Sequence, residues 1–319
     1  MSKDKILVIG ANGQIGSVLT EALRGTFGTK SVIGTDIREA AGHEGPFELL
    51  NVLDAKAVAD AVDRHGITQI YHLAAILSAK GEQNPLQTWD INMGGLFNVF
   101  EVARTKGIAK IFFPSSIAVF GADIPRQMTP QNAVLKPTTV YGMSKSAGEL
   151  WSQYYFLKYG MDIRSLRYPG VIGWQSDPGG GTTDYAVEIY HNAVKEQDFT
   201  CFLSEETVLP MIYMDDAIRA TLELMDAEAS KINVRTSYNL AGMSFSPSEI
   251  AATIQLEKPN FKVSYAPDFR QKIAESWPES IDDSAAFNDW HWQPKYDLSS
   301  MTKDMIFQLQ KKYKLVGAL

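Results

Sequence analysis

The first uninterrupted apolar stretch of the chain is residues 5–10, Lys-Ile-Leu-Val-Ile-Gly. A short continuous run of this kind predicts a strand buried on both faces. From Gln14 to Arg24 the period changes: Ile15, Val18, Leu19, Ala22 and Leu23 recur at helical spacing, which predicts an amphipathic helix. The alternation then repeats. Strands are expected at 31–35, 69–74, 110–115 and 162–168, and helices at 55–64, 86–105 and 144–158. Strand and helix in turn imply an α/β chain with a mostly parallel sheet covered on both faces.

Beyond Gly170 the pattern loosens. Residues 176–183 are rich in Gly and Pro and read as a loop, 184–195 read as a helix, and shorter elements follow through 214–225 and 247–256. There is no internal repeat or low-complexity tract. The expected division is a sheet domain over residues 1–170 and a smaller C-terminal lobe over 171–319, with some of the later segments returning to the sheet.

Composition narrows the function classes. With 45% hydrophobic and 21% charged residues in 319, the chain can bury a sizeable core. No apolar run approaches the roughly 20 residues of a membrane-spanning helix, so no membrane partner is expected. A net charge of −7 and a pI near 5.3 argue against nucleic acid as a partner. The single cysteine, Cys201, excludes an intrachain disulfide and reads as a buried inert thiol, and with no apolar leader before Lys3 a cytoplasmic location is expected. The histidines at 43, 65, 72, 191 and 291 lack metal-ligand spacing, so no metal site is expected.

Between the first strand and first helix lies Gly10-Ala11-Asn12-Gly13-Gln14-Ile15-Gly16. Glycines there permit a tight turn, close approach of backbone to a pyrophosphate, and close packing of helix on strand, while the helix N-terminus offers N–H donors. Asp36, 20 residues past Gly16 at the end of the second strand, suits the adenosine ribose hydroxyls and would repel a 2′-phosphate. The pattern is that of a Rossmann-type fold binding NAD over residues 1–170, with Arg38 leaving open some use of NADP or, equally, a solvated surface role.

Tyr141 and Lys145 are four residues apart at the start of the long helical segment, on one helical face. A tyrosine with a pKa of about 10 is a poor base at neutral pH, and a neighbouring ammonium favours its phenolate. Ser116, 25 residues upstream at the carboxyl end of a strand, offers a hydroxyl to orient a reacting oxygen. His72-Leu73-Ala74-Ala75 ends another strand with small residues. Asn92 in the next helix reads by default as a surface asparagine, with a backbone or water hydrogen bond as the alternative.

These segments, with Pro114 to Gly121, Gly179 to Ala186, Met211 to Asp216 and Asp268 to Asp283, resemble the extended short-chain dehydrogenase/reductases. Within that family they resemble the subgroup that oxidises L-threonine at C3, over nearly the whole length. The resemblance implies NAD-dependent oxidation of the β-hydroxyl to 2-amino-3-oxobutyrate. It implies Tyr141 as base, Lys145 on the nicotinamide ribose and lowering the Tyr141 pKa, and Ser116 rather than Ser115 on the substrate oxygen. It further implies cofactor contacts from Gly10, Gly13, Gln14, Ile15, Gly16, Asp36, Ile37, Arg38, Leu53, Ala74, Tyr141 and Lys145. Substrate contacts are implied from Ser78, Ser116, Tyr141, Gly180, Thr182, Thr183 and Trp277, the Gly-rich stretch presenting N–H groups to the carboxylate. Without the resemblance Trp277 reads as a packing residue.

Asn51 stands where many family members carry Asp toward the adenine amino group, and its side-chain carbonyl is expected to serve. The resemblance also implies a homodimer through helices 86–105 and 144–158, for which Leu150, Trp151, Tyr154 and Tyr155 are available; they serve packing on the sheet equally. Two other readings remain. A sugar-nucleotide epimerase or dehydratase of the same family would ordinarily carry Arg-Asp where this chain has Leu209-Pro210, and Tyr at Phe120. A non-catalytic NAD sensor would ordinarily lack Tyr141 or Lys145.

Overall fold

The computed structural model describes residues 4–316 except Ala40, Ala41, His43 and Gly180, with only the backbone of Leu315 and Val316. Two residues singled out from the sequence, His43 and Gly180, therefore lie outside the described residues.

The chain opens with β1 (Ile6–Ile9), α1 (Gln14–Phe27), β2 (Val32–Asp36), β3 (Phe47–Leu49), α2 (Ala55–His65) and β4 (Gln69–His72). It continues through α3 (Ser78–Gly81), α4 (Pro85–Lys106), β5 (Lys110–Phe112), β6 (Ser115–Ser116), α5 (Val140–Tyr159), β7 (Ile163–Arg164) and β8 (Leu166–Tyr168). The central sheet has the order β3-β2-β1-β4-β5-β7, with every pair parallel. All its carboxyl ends therefore emerge on one edge, where ligands bind in open α/β sheets.

Burial on both faces is visible in β1. Ile6 and Val8 join a core with Leu19 and Leu23 of α1, while Leu7 and Ile9 join another with Val58 of α2 and Leu96 and Val99 of α4. Each such side chain contributes roughly 1.5–3 kcal/mol on burial, so the strand is held from both sides.

Past β8 come β9 (Gly170–Ile172), α6 (Tyr185–Val194), β10 (Phe199–Cys201), β11 (Leu209–Tyr213), α7 (Met214–Asp226), β12 (Tyr238–Asn239) and β13 (Met243–Phe245). The chain ends with α8 (Pro247–Glu257), β14 (Val263–Tyr265), α9 (Arg270–Glu275), α10 (Ser284–Trp290) and α11 (Leu298–Val316). The strand expected over 162–168 is broken at Ser165: β7 pairs with β5, whereas β8 pairs with β6 and with β12. β9 departs into a small sheet with β11 and β13. From beyond residue 170, β12 joins β8 and β6 in a separate three-stranded sheet, and α7 shares a core with α1. Their other core packs α6, α8 and α11 through Ile189, Ile250, Met305 and Leu309.

Several elements depart from the expected pattern. The helix carrying Tyr141 starts at Val140 rather than Ser144, capped by Thr139, whose hydroxyl accepts from Gly142 N. The strand expected over 110–115 breaks after Phe112 and resumes as β6. β3, β11 and the 19-residue α11 had no counterpart in the expected elements. Cys201 is buried and unpaired in β10. Among the described residues no helix is long and apolar enough to cross a membrane.

Candidate active site

At the carboxyl edge of the sheet an open cleft runs from the Gly10–Gly16 turn, past Ser116, Tyr141 and Lys145, to Thr182 and Trp277. The turn explains its glycines. Gly10 has φ +92°, and a Cβ there would stand 2.7 Å from Ala74 N. A Cβ on Gly16 would stand 2.1 Å from Gly10 O. Gly13, the N-cap of α1, makes no side-chain cap, so the first-turn N–H groups face the cleft without a side-chain acceptor, which suits an anion.

Asp36 ends β2 almost fully buried. Its two oxygens accept from Asn12 N at 3.1 Å and Arg38 N at 3.2 Å, which fixes the carboxylate toward the turn. The Arg38 side chain is 71% exposed, with Nε 3.6 Å from Asp36 Oδ1. Ile37 and Leu53 are large apolar side chains left exposed at the same edge. Asn51 Oδ1 already accepts from Leu53 N at 3.0 Å, so the expected adenine acceptor is partly used in closing its own turn. The tight glycine cradle, the open helix N-terminus and the oriented carboxylate fit a dinucleotide.

Tyr141 sits in the first turn of α5 and lines the cleft together with Ser116, whose hydroxyl pulls the pKa of the phenol down. Ser116 is in turn held by its acceptance from Ala118 N at 3.2 Å. Burial pushes Tyr141 up to about 12, with Ser116 pulling the other way, and burial brings Lys145 down to about 7. The lysine Nζ donates to Pro114 O at 2.7 Å and lies over the Phe113 ring, 5.5 Å from the centroid of the Tyr141 ring, and the Ser116 hydroxyl favours the phenolate.

Ser115 is turned away: its Oγ donates to Glu149 at 2.6 Å. His72 is buried with Nδ1 unpaired, and burial, with the charge of Lys145 adding, brings it down to about 3.

Asn92 departs from its default reading as a surface residue. It is buried, accepts from Ile76 N at 2.8 Å and donates to Ile76 O and Ser144 Oγ, because α4 packs this face against α5. It thereby pins the segment after β4 to the helix carrying Tyr141, a role with no local sequence signature.

At the far end of the cleft Ser78 and Thr182 are buried, and Thr182 Oγ1 has no hydrogen-bond partner. Thr183 packs against Gly170, where a Cβ would meet it at 2.8 Å. Trp277 is buried and lines the cleft, its carbonyl accepting from Arg126 Nε at 3.2 Å. Arg126 and Asp184, both absent from the sequence expectations, hold or line this end. Only contact across more than 100 residues brings Arg126 into view.

A tyrosine hydroxyl beside a buried lysine, reached from a dinucleotide cradle, suits an oxidoreductase that works on a nicotinamide cofactor. The chain belongs to the NAD dependent epimerase/dehydratase family, which it matches over residues 6–241. An uncharacterized epimerase/dehydratase of Staphylococcus haemolyticus is 46% identical over 314 residues, spanning 97% of this chain and 98% of the relative. Among solved structures, the holo form of the GalE-like L-threonine dehydrogenase from Cupriavidus necator is 53% identical with a TM-score of 0.95, over 96% of this chain and 99% of that one. A monomeric L-threonine 3-dehydrogenase from a metagenome is 48% identical with a TM-score of 0.94, over 96% and 99%.

Proposed function

We propose that the protein oxidises the β-hydroxyl of L-threonine with NAD to 2-amino-3-oxobutyrate. The observation that carries this is the convergence of Tyr141 and Ser116 on one cleft with the unpaired Thr182 hydroxyl and Trp277. The similarity to solved L-threonine dehydrogenases supports the substrate.

The turn at Gly10, Gly13, Gln14, Ile15 and Gly16 would hold the pyrophosphate, Asp36 the adenosine ribose, and Ile37, Leu53 and Ala74 the flanks of the nucleotide. Lys145 would hold the nicotinamide ribose. NAD, when bound, supplies the acceptor for the hydride that leaves C3. Ser116 orients the substrate oxygen, and Tyr141 takes the hydroxyl proton as the C–O bond becomes a carbonyl. Ser78, Thr182, Thr183 and backbone amides of the Gly-rich loop receive the carboxylate.

A diphosphate-bearing sugar finds no arginine at Leu209-Pro210, which lie buried in β11. Phe120, buried beneath Arg167, offers no hydroxyl.

The test is NADH formation from NAD and L-threonine, with a Tyr141→Phe variant beside it. Turnover by the wild type is expected, with a loss of about 10²–10⁴-fold in the variant and NADH binding retained. No turnover of L-threonine by protein that binds NAD overturns the reading.

The same reading includes a homodimer through α4 and α5. Leu150, Trp151, Tyr154 and Leu157 are exposed on α5 and Trp89 on α4, whereas Tyr155 is buried in the core. Sedimentation at several concentrations tests it, a monomer throughout counting against it. A cytoplasmic setting belongs to the same reading, supported by the unpaired thiol of Cys201.

A further inference from the structure

The amino-acid substrate of the preceding section carries an ammonium group for which no acceptor has been named. Among the described residues lining the cleft, Asp184 is the only carboxylate. It stands directly before α6, two residues beyond Thr182, and its Oδ2 accepts from Gly181 N at 2.8 Å. That bond fixes the carboxylate and leaves Oδ1 outside it.

The carboxylate of Asp184 meets no cationic side chain among the described residues. No ion pair to it occurs among the described residues, although its neighbour Asp177, 80% exposed, lies 3.4 Å from Lys312 Nζ and 4.0 Å from His191 Nδ1. The more exposed carboxylate has its cation and the half-buried one in the cleft has none. A second observation points to a ligand at the same place: Thr182 Oγ1 is fully buried without a partner, and groups of this kind ordinarily find one. Lys145, the only Lys or Arg among the described lining residues, is committed to Pro114 O at the Tyr141 end.

We propose that Asp184 receives the α-ammonium of the substrate, and that this contact makes the site select a β-hydroxy amino acid over a β-hydroxy acid. The proposal rests on the threonine reading. A cation placed against a partly desolvated carboxylate forms a charge-assisted hydrogen bond, stronger than a neutral one. It is made in ground state and transition state alike, so its loss falls mainly on KM.

The experiment compares wild type with Asp184→Asn on L-threonine and on (R)-3-hydroxybutyrate, which keeps the hydroxyl and carboxylate and lacks the ammonium. Asparagine retains an oxygen for Gly181 N, and an unchanged NADH affinity confirms an intact cofactor site. The expected result is a rise in KM for L-threonine of about 10- to 100-fold in the variant, with kcat affected less. The preference for L-threonine over (R)-3-hydroxybutyrate should shrink by a similar factor. A variant with wild-type KM for L-threonine and undiminished preference overturns the assignment alone. A wild type that leaves L-threonine unoxidised overturns the functional reading and this assignment with it.

Discussion

Gly142 lies so close to Ala118 that a Cβ at residue 142 would stand 2.1 Å from the Ala118 carbonyl oxygen. The two residues flank the reacting pair, Gly142 following Tyr141 and Ala118 two residues beyond Ser116, whose hydroxyl accepts from Ala118 N. The start of α5 is thereby pressed onto the turn that carries the serine. Gly142→Ala must move one backbone against the other and separate Tyr141 from Ser116. We expect kcat/KM to fall by about 10²-fold, the scale of an ångström misplacement, with NADH binding retained. Wild-type turnover in this variant would show that the close approach does not set the geometry.

On the proposed mechanism the half-buried Tyr141 must lose a proton before it can take one from substrate. With Tyr141 held up near 12 by burial and pulled down by Ser116, and Lys145 brought down to about 7, log kcat/KM should rise with pH from acid through the neutral range. Removing Ser116 removes the hydroxyl that favours the phenolate, so Ser116→Ala should shift the rise toward higher pH as well as lower its height. A profile flat between pH 5 and 9, or a shift in the acid direction, contradicts the assignment of Tyr141 and Ser116.

Legibility in the sequence follows how local each cause is. The β1 to β2 unit was readable because a strand buried on both faces needs an unbroken apolar run, and because the glycines and Asp36 act within 30 residues. β3 was not, since Phe47-Glu48-Leu49 is three residues long and borrows its pairing from β2. In α11 the buried Met301, Met305 and Leu309 do recur at helical spacing, a signal left unused. Tyr141, Lys145 and Ser116 were legible as residues, but their energetics were not: the carbonyl of Pro114 that takes the lysine is 31 positions away. Asn92 carried no local mark because its three bonds reach the segment after β4 and the neighbouring helix.

Cofactor choice turns on Asp36, fixed by Asn12 N and Arg38 N. A 2′-phosphate set against this buried carboxylate meets like charge, which costs several kcal/mol. The wild type should therefore favour NAD over NADP by at least about 100-fold in kcat/KM. Asp36→Asn should narrow that ratio from both sides, by weakening the ribose contact and by leaving the exposed Arg38 free to face the phosphate. Comparable use of the two cofactors by the wild type would place the discrimination elsewhere.

Behind Ser115 lies a buried ion pair whose loss should be felt throughout the fold. Arg167 donates to Glu149 through Nε at 2.9 Å and Nη2 at 2.7 Å, and through Nη1 to Asn239 Oδ1 and Gln131 O. Both side chains are essentially inaccessible, at 4% and 0%. Asn239 passes the contact on to the carbonyls of Thr129 and Asp282, so the pair ties α5 and β8 to the segments flanking Trp277. Removing one charge leaves the other buried without compensation, which costs about 3–5 kcal/mol. Glu149→Gln should lower the urea midpoint accordingly, whereas Glu149→Leu combined with Arg167→Met should restore much of the difference, since two apolar side chains of similar size avoid both desolvation penalties. A single variant as stable as the wild type would mean that water or a rearranged network reaches Arg167. A double variant no better than the single would locate the cost in the hydrogen bonds to Asn239 and Gln131 instead of the charge.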